Sequence, residues 1–214
     1  MFDTIAPRYE LVNRLITFGL DHRWRTATLD RLALPSGSHL LDLAAGTGDF
    51  TRLATDRGMT VVSADLSIGM LQAGRGTTRA VEADAAHMPF ADATFDGLVC
   101  GYALRNFTDL AGAIAEMARV VRPGGRLAIL EVAAPSSRLL RSGYSMWFDH
   151  CVPKIGGLLS DRDAYAYLPR STAYLPETDD LCALFTNAGF SGVNHHLILG
   201  GLSQRITGTR RGES

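Results

Sequence analysis

His39-Leu40-Leu41-Asp42-Leu43-Ala44-Ala45-Gly46-Thr47-Gly48-Asp49 is the stretch that decides the fold. A short apolar run carries an acid near its end, then passes through a glycine-rich turn into a helix predicted from about Gly48 to Asp56. Glycines at 46 and 48 let the backbone approach a ligand, and the unpaired N–H groups that open the next helix suit an anion. The same rhythm returns downstream. Thr60–Ala64 is a β-branched strand ending at Asp65, and Ser67–Gly74 reads as a short helix. Ala80–Ala83 and Phe95–Cys100 are a third and a fourth strand, the third running into Asp84-Ala85. Asp109–Arg122 places Leu110, Ile114, Met117 and Val121 on one helical face, with Asp109 as its cap and Pro123-Gly124-Gly125 as its stop. Arg126–Val132 is a fifth strand. Strands alternating with helices predict βαβ crossovers and a parallel α/β sheet covered on both faces.

Upstream, Ile5, Tyr9, Val12 and Ile16 recur at helical spacing, as do Trp24, Ala27 and Leu32 after a cap at Asp21. Residues 1–34 therefore predict a helical cap, closed by the Leu34-Pro35-Ser36-Gly37 break. Residues 136–176 interrupt the rhythm with aromatics and prolines and no convincing strand; a hydrophobic core under a long connection is one explanation of them. A helix over Glu177–Ala188 follows, then two strands, Val193–Leu199 and Leu202–Gly208, which meet at Gly200-Gly201 in a two-residue hairpin signal. An antiparallel hairpin thus closes an otherwise parallel sheet, and the whole chain, 1–214, is expected to form a single domain.

Composition narrows the function. Apolar residues make up 46% and charged residues 20% of the chain, which is globular and excludes disorder. A net charge of −1 argues against a protein that grips nucleic-acid phosphates. Cys100, Cys151 and Cys182 are an odd count without C-x-x-C spacing, which rules out a zinc ribbon and speaks against a secreted disulfide framework. The six histidines form no ligand constellation, so no metal is assigned. With no signal-like start and no apolar run of membrane length, a soluble cytoplasmic protein is expected.

A nicotinamide dinucleotide site would place a third glycine at position 51, where this chain has Thr51, so that fingerprint fails. Asp65 can accept from both hydroxyls of a ribose, and Asp84 from an adenine amino group. Singly, these residues also read as a tight turn, a helix cap and a loop acid. Together, Asp42, Asp65 and Asp84 mark the carboxyl ends of three successive strands, the edge where open α/β sheets bind ligands.

The pattern D-x-A-x-G-T-G-D (Asp42 to Asp49), the acid ending strand two, and Arg122-Pro123-Gly124-Gly125-Arg126 resemble class I S-adenosylmethionine-dependent methyltransferases. The resemblance narrows to the ubiquinone/menaquinone-biosynthesis C-methyltransferases (the UbiE/MenG type). It is carried by Phe2-Asp3-x-x-Ala6-x-x-Tyr9-x-x-x-Asn13, Met88-Pro89-Phe90, Leu104-Arg105-Asn106-Phe107-Thr108-Asp109 and Tyr165-x-Tyr167-Leu168-x-x-Ser171 followed by Pro176, which looks like the family's lid and implies that residues 136–176 are an insertion covering a lipophilic substrate. It implies a Rossmann-like sheet of seven strands in the order 3-2-1-4-5-7-6, with an antiparallel last strand and helices on both faces. It also implies S-adenosyl-L-methionine as cofactor, in contact with Thr47, Asp65, Asp84 and Ala85; Asp42, Gly46 and Gly48 of the same turn join the candidate set, and Tyr9 either closes over the methionine end or is a half-buried packing tyrosine with its hydroxyl at the surface. Gly101 falls where relatives often have a serine, so only its backbone can contribute. The segment Leu199–Ile206 departs from the family's threonine, two small residues and A-L-H, and the stretch between Gly69 and Val81 is short.

The implied acceptor is a demethylmenaquinol-type quinol. The altered tail keeps open another lipophilic small molecule (a polyketide, phenol or sterol-like ring, methylated on carbon or oxygen) or a non-catalytic cofactor-binding module. Base methylation is not expected, because Gly101-Tyr102-Ala103-Leu104 stands where an N/D-P-P-Y/W element would be. A quinol carbon attacks well only when a neighbouring phenol ionises, and at a pKa near 10 about one molecule in a thousand does so at pH 7. A cation beside the oxygen would raise that fraction; Arg105 is the candidate, with Asn106 orienting the oxygen or a water. An ion pair of Arg105 with Asp109 is the structural alternative. A prenylated quinol would bring transient contact with the inner membrane surface, and the oligomeric state stays open between monomer and homodimer.

Overall fold

Side chains alternate across a strand. Accordingly Leu41, Leu98 and Ile129 join one apolar cluster, while Leu40, Val99 and Ala128 join another. The sheet between them is the frame of the computed structural model, which describes residues 19–74, 79–133 and 174–212. Its helices are α1 (Asp21–Leu32), α2 (Asp49–Thr55), α3 (Ile68–Ala73), α4 (Leu110–Val120) and α5 (Thr178–Asn187). Its strands are β1 (His39–Leu43), β2 (Thr60–Asp65), β3 (Ala80–Glu82), β4 (Phe95–Gly101), β5 (Val121–Val132), β6 (Phe190–Ile198) and β7 (Ser203–Arg210). They hydrogen-bond in the order β3-β2-β1-β4-β5-β7-β6, as the resemblance implies. The first five strands are mutually parallel, and β7 runs antiparallel to both of its neighbours.

Ile114 and Met117 of α4 and Leu181 and Phe185 of α5 fill one cluster; Leu29 and Leu32 of α1 and Phe50 and Ala54 of α2 fill the other. The reversal of strand order beside β1 leaves a crevice at the carboxyl edge between β1 and β4. That crevice positions the site.

Several features differ from the sequence reading. Leu20, not Asp21, precedes the first turn of α1, and no side chain caps it; Asp21 is itself helical and buried. The α1 face turned inward is Asp21, Arg25, Thr28, Leu29 and Leu32, whereas Trp24 and Ala27 are only half-buried. Helix α4 ends at Val120, and Val121 already pairs with Phe95, so the strand begins before Pro123-Gly124-Gly125 rather than after it. Ile198 pairs with Ser203, which makes Leu199–Leu202 a four-residue loop instead of a two-residue turn. Leu199, Gly200 and Gly201 all take positive φ there (47°, 67° and 99°), and this left-handed run lengthens the connection. Asp109 does cap α4, accepting from the Gly112 N–H at 2.8 Å. The expected helix around Tyr9 and the lid, up to residue 173, lie outside the described residues.

Candidate cofactor site

The carboxyl ends of β1 to β4 border one cavity of about 470 Å³. Asp42, Gly46, Thr47, Asp65, Asp84, Ala85, Gly101 and Asn106 all line it, so most of the residues expected from sequence converge. Gly48 does not. It stands behind the turn with φ 82°, and its N–H donates to the Ala45 carbonyl at 2.9 Å, so it shapes the loop without touching the cavity. Tyr9 lies outside the described residues.

Asp65 is set by two backbone donors, the Gly46 N–H on Oδ2 and the Ser67 N–H on Oδ1, each at 2.8 Å. A carboxylate offers about four lone-pair sites and can accept from more than one donor on each oxygen. Gly46, at φ +56°, approaches closely: a Cβ there would sit 3.2 Å from Met70 Cε. Asp84 accepts from the Ala86 N–H at 2.9 Å, with His87 at 3.8 Å, and remains largely exposed.

Asp42 is different in kind. It is 1% exposed, and the Thr51 hydroxyl donates to its Oδ2 at 2.7 Å. Burial pushes its carboxyl up to about 7, against the Thr51 hydrogen bond and the nearby Arg25 cation. Thr51, the residue that breaks the dinucleotide fingerprint, therefore holds this acid, and its hydroxyl lies 2.7 Å from that of Ser63.

Arg105 is not where the sequence reading puts it. It does not line the cavity; its Nη1 donates to Glu131 Oε1 at 2.5 Å and to the Tyr102 carbonyl at 2.6 Å, with both charged side chains buried. Its partner is Glu131 of β5 rather than Asp109, because the short 3₁₀ turn Leu104–Asn106 folds the side chain back under the loop. Asn106, the next residue, does reach the cavity, and among the described residues its buried Oδ1 has no hydrogen-bond partner.

Sequence reasoning missed Arg25. This arginine lies over the rings of Phe50 (5.0 Å to the centroid) and Tyr102 (5.3 Å), pairs with Asp49 at 3.4 Å, and lines the cavity. The available signal was its spacing, four residues before Leu29 and seven before Leu32 on the inward face of α1. Gly101 leaves it room: a Cβ there would lie 2.8 Å from Arg25 Nη1 and 2.7 Å from Phe50 Cε2. Tyr102, at φ +61°, has its phenol pushed up to about 12 by burial and 3.3 Å from the Ser203 hydroxyl. Among the described residues no histidine, cysteine or acidic cluster is arranged for a metal, and no helix is long and apolar enough to cross a membrane.

Known proteins resemble this chain in sequence over nearly all of its length. The model of the ubiE/COQ5 methyltransferase family matches residues 1–210. The chain belongs to that family. Within it, a demethylmenaquinone methyltransferase of Roseiflexus castenholzii is 42% identical over 99% of this chain and 92% of its own length. The ubiquinone/menaquinone biosynthesis C-methyltransferase UbiE of Syntrophotalea carbinolica is 38% identical over 98% and 92%. Among solved structures, the [4+2]-cyclase SpnF superposes on the family member described here with a TM-score of 0.65 at 17% identity, covering 100% of this chain and 95% of its own. The fold thus hosts more than one chemistry, and only the sequence-level kinship bears on the reaction.

Proposed function

We propose that this ubiE/COQ5-family protein transfers the methyl group of S-adenosylmethionine to a ring carbon of a demethylmenaquinol-type quinol. The observation that carries the reading is the meeting of Asp65, Asp84 and the Gly46-Thr47 turn on one cavity of a size suited to a nucleoside-bearing ligand. The donor set fits that cofactor: Asp65 for the ribose hydroxyls, Asp84 and buried Ala85 for the adenine edge, and Gly46 for close backbone approach. When bound, the cofactor supplies an electrophilic methyl group on a sulfonium.

The chain's own residues then have two tasks. One is to aim the acceptor: Asn106 offers a buried, uncommitted carbonyl oxygen to a phenolic hydroxyl at the cavity wall. Accepting that hydrogen bond would move electron density onto the ring and make the carbon beside the phenol the better nucleophile toward the methyl group the cofactor would supply. The ring proton leaves to solvent once the new carbon–carbon bond has formed. The other task is to keep Asn106 in place, and this falls to Arg105. Tied to Glu131 and the Tyr102 carbonyl, it fixes the 102–106 turn and is a positioning residue rather than the donor to the substrate oxygen. The relatives named for demethylmenaquinone methylation support the acceptor class. A prenylated quinol resides in the bilayer, so the proposal includes transient contact with a membrane surface by a cytoplasmic protein.

The test is transfer of label from methyl-labelled S-adenosylmethionine to chemically reduced demethylmenaquinone, run beside a panel of simple phenols. Label on the quinol ring is expected. Label only on phenolic oxygens would replace carbon methylation by oxygen methylation, and no label on any acceptor would refute the reading.

A further inference from the structure

The turn that carries Asp84 and Ala85 is held from outside the cavity. β3 pairs through three residues and, among the described strands, with β2 alone. Beyond the Ala83 N–H, which donates to the Asp65 carbonyl at 3.0 Å, the chain leaves the sheet. The bonds of Asp84 stay within its own turn: Oδ1 accepts from the Ala86 N–H at 2.9 Å, and its carbonyl from the His87 N–H at 3.0 Å. The hold comes next, from α4. Glu116 Oε2 accepts from the Met88 N–H at 2.8 Å. Arg119 donates through Nη2 to the Met88 carbonyl at 3.0 Å, and through Nη1 to the Phe90 carbonyl and Asp92 Oδ1, each at 2.7 Å. The same guanidinium forks onto Glu116, Nε on Oε1 at 2.6 Å and Nη2 on Oε2 at 2.8 Å.

We infer that Glu116 and Arg119 are positioning residues for the purine end of the cofactor: they fix Met88 and Phe90 against α4 and so set Asp84 and Ala85 at the cavity wall. The inference rests on the cofactor reading proposed above. Neither side chain lines the cavity, so the action runs through the loop. Met88 is 5% exposed, and its N–H would be a buried donor without an acceptor if Glu116 were absent. Only a planar guanidinium meets two carbonyls and two carboxylates at once; an ammonium has three donors and no fixed fork. The hydrogen bonds from Arg119 hold the Glu116 carboxyl below its ordinary 4.5, so the pair stays charged at neutral pH. The helix joins the two ends of the argument. Asp109 and Ala113, at the start of α4, line the cavity, and Glu116 and Arg119 continue from Ala113 in three-residue steps. Met88 lies three residues beyond Ala85, and a hydrogen bond to a base edge tolerates little misdirection, so a slack loop loses the purine before it loses the fold.

A double-mutant cycle on the whole chain, read by calorimetry with S-adenosylhomocysteine, separates positioning from general support. Arg119→Met in the native background is expected to weaken the ligand about 10-fold, the size of one lost hydrogen bond. In an Asp84→Ala background the acceptor that the clamp aims is already gone, and the same substitution should cost less than about threefold. A residue that merely supports the fold would cost the same in both backgrounds. Equal losses therefore overturn the inference, as does no loss from Arg119→Met. If the native chain does not bind S-adenosylhomocysteine, the cofactor reading itself fails, which is a different result. Should Arg119→Met not fold, Glu116→Gln takes its place in the cycle, keeping the shape of the side chain and removing the charge that holds the guanidinium. A loss of about threefold in the native background and none beside Asp84→Ala is then expected, with equal or absent losses again overturning the assignment.

Discussion

Replacing Asp42 by Asn should make the protein more stable at alkaline pH than at acid pH, relative to the native chain. Asp42 is almost completely buried, and its carboxyl is raised from the ordinary 3.8 to about 7. Between those two values the folded chain keeps a proton that the unfolded chain has lost, so this group favours folding at low pH. Its contribution falls as pH rises through the window and is gone above about 7. From pH 5 to pH 8 the change covers about two units, or about 3 kcal/mol. Asn at the same place can still accept from Thr51 through its amide oxygen, and it does not titrate. For a chain of this size 1 kcal/mol moves the melting temperature by about 2–4 °C. The difference in Tm between Asp42→Asn and the native protein should therefore widen by about 6–12 °C in the variant's favour between pH 5 and pH 8, read by differential scanning calorimetry without ligand. A difference that stays constant across that range would refute the reasoning, since it would mean that Asp42 is ionised throughout.

Arg105→Met leaves Glu131 as a buried charge without its partner and should cost about 3–5 kcal/mol in a urea melt; a loss below 1 kcal/mol would mean that the pair contributes little to holding the loop. Asp65→Ala removes the acceptor offered to two ribose hydroxyls and should weaken S-adenosylhomocysteine by about 100-fold in calorimetry, whereas unchanged affinity would move the ribose elsewhere. Asn106→Ala should lower kcat by about 10- to 100-fold with cofactor affinity intact, and an effect confined to cofactor binding would remove Asn106 from the acceptor side.

The parallel half of the sheet was legible because its punctuation is local. Each strand announces itself by β-branched or aliphatic residues and ends in an acid or a glycine within a few positions, as at Asp42, Asp65 and Gly101. What the sequence hid depends on contacts far along the chain. Arg105 reads as a site residue because it follows a strand end, but the group that claims it, Glu131, is 26 residues further on. An acid inside the apolar run Leu127–Val132 was the clue, since a buried strand carries such a charge only against a cation. Arg25 was hidden for the opposite reason: judging α1 by its apolar residues assigns the inward face to Trp24 and Ala27, and the arginine that shares the true face looks solvated. The hairpin was found in the right place with the wrong loop, because Gly200-Gly201 marks the bend while the conformation of Leu199 sets its length.

The position of β7 between β5 and β6 has a consequence for how the chain is made. As translation proceeds, the whole parallel half can assemble while the outer edge of β5, with Leu127, Ile129 and Leu130, still shows its unpaired amides. β6 emerges from the ribosome first, and the described strand it pairs with, β7, is synthesised after it. Closure of the sheet therefore waits until β7 is made, when the β6–β7 hairpin docks as one unit, and until then a nascent polypeptide carries an open, sticky border of the kind that chaperones shield.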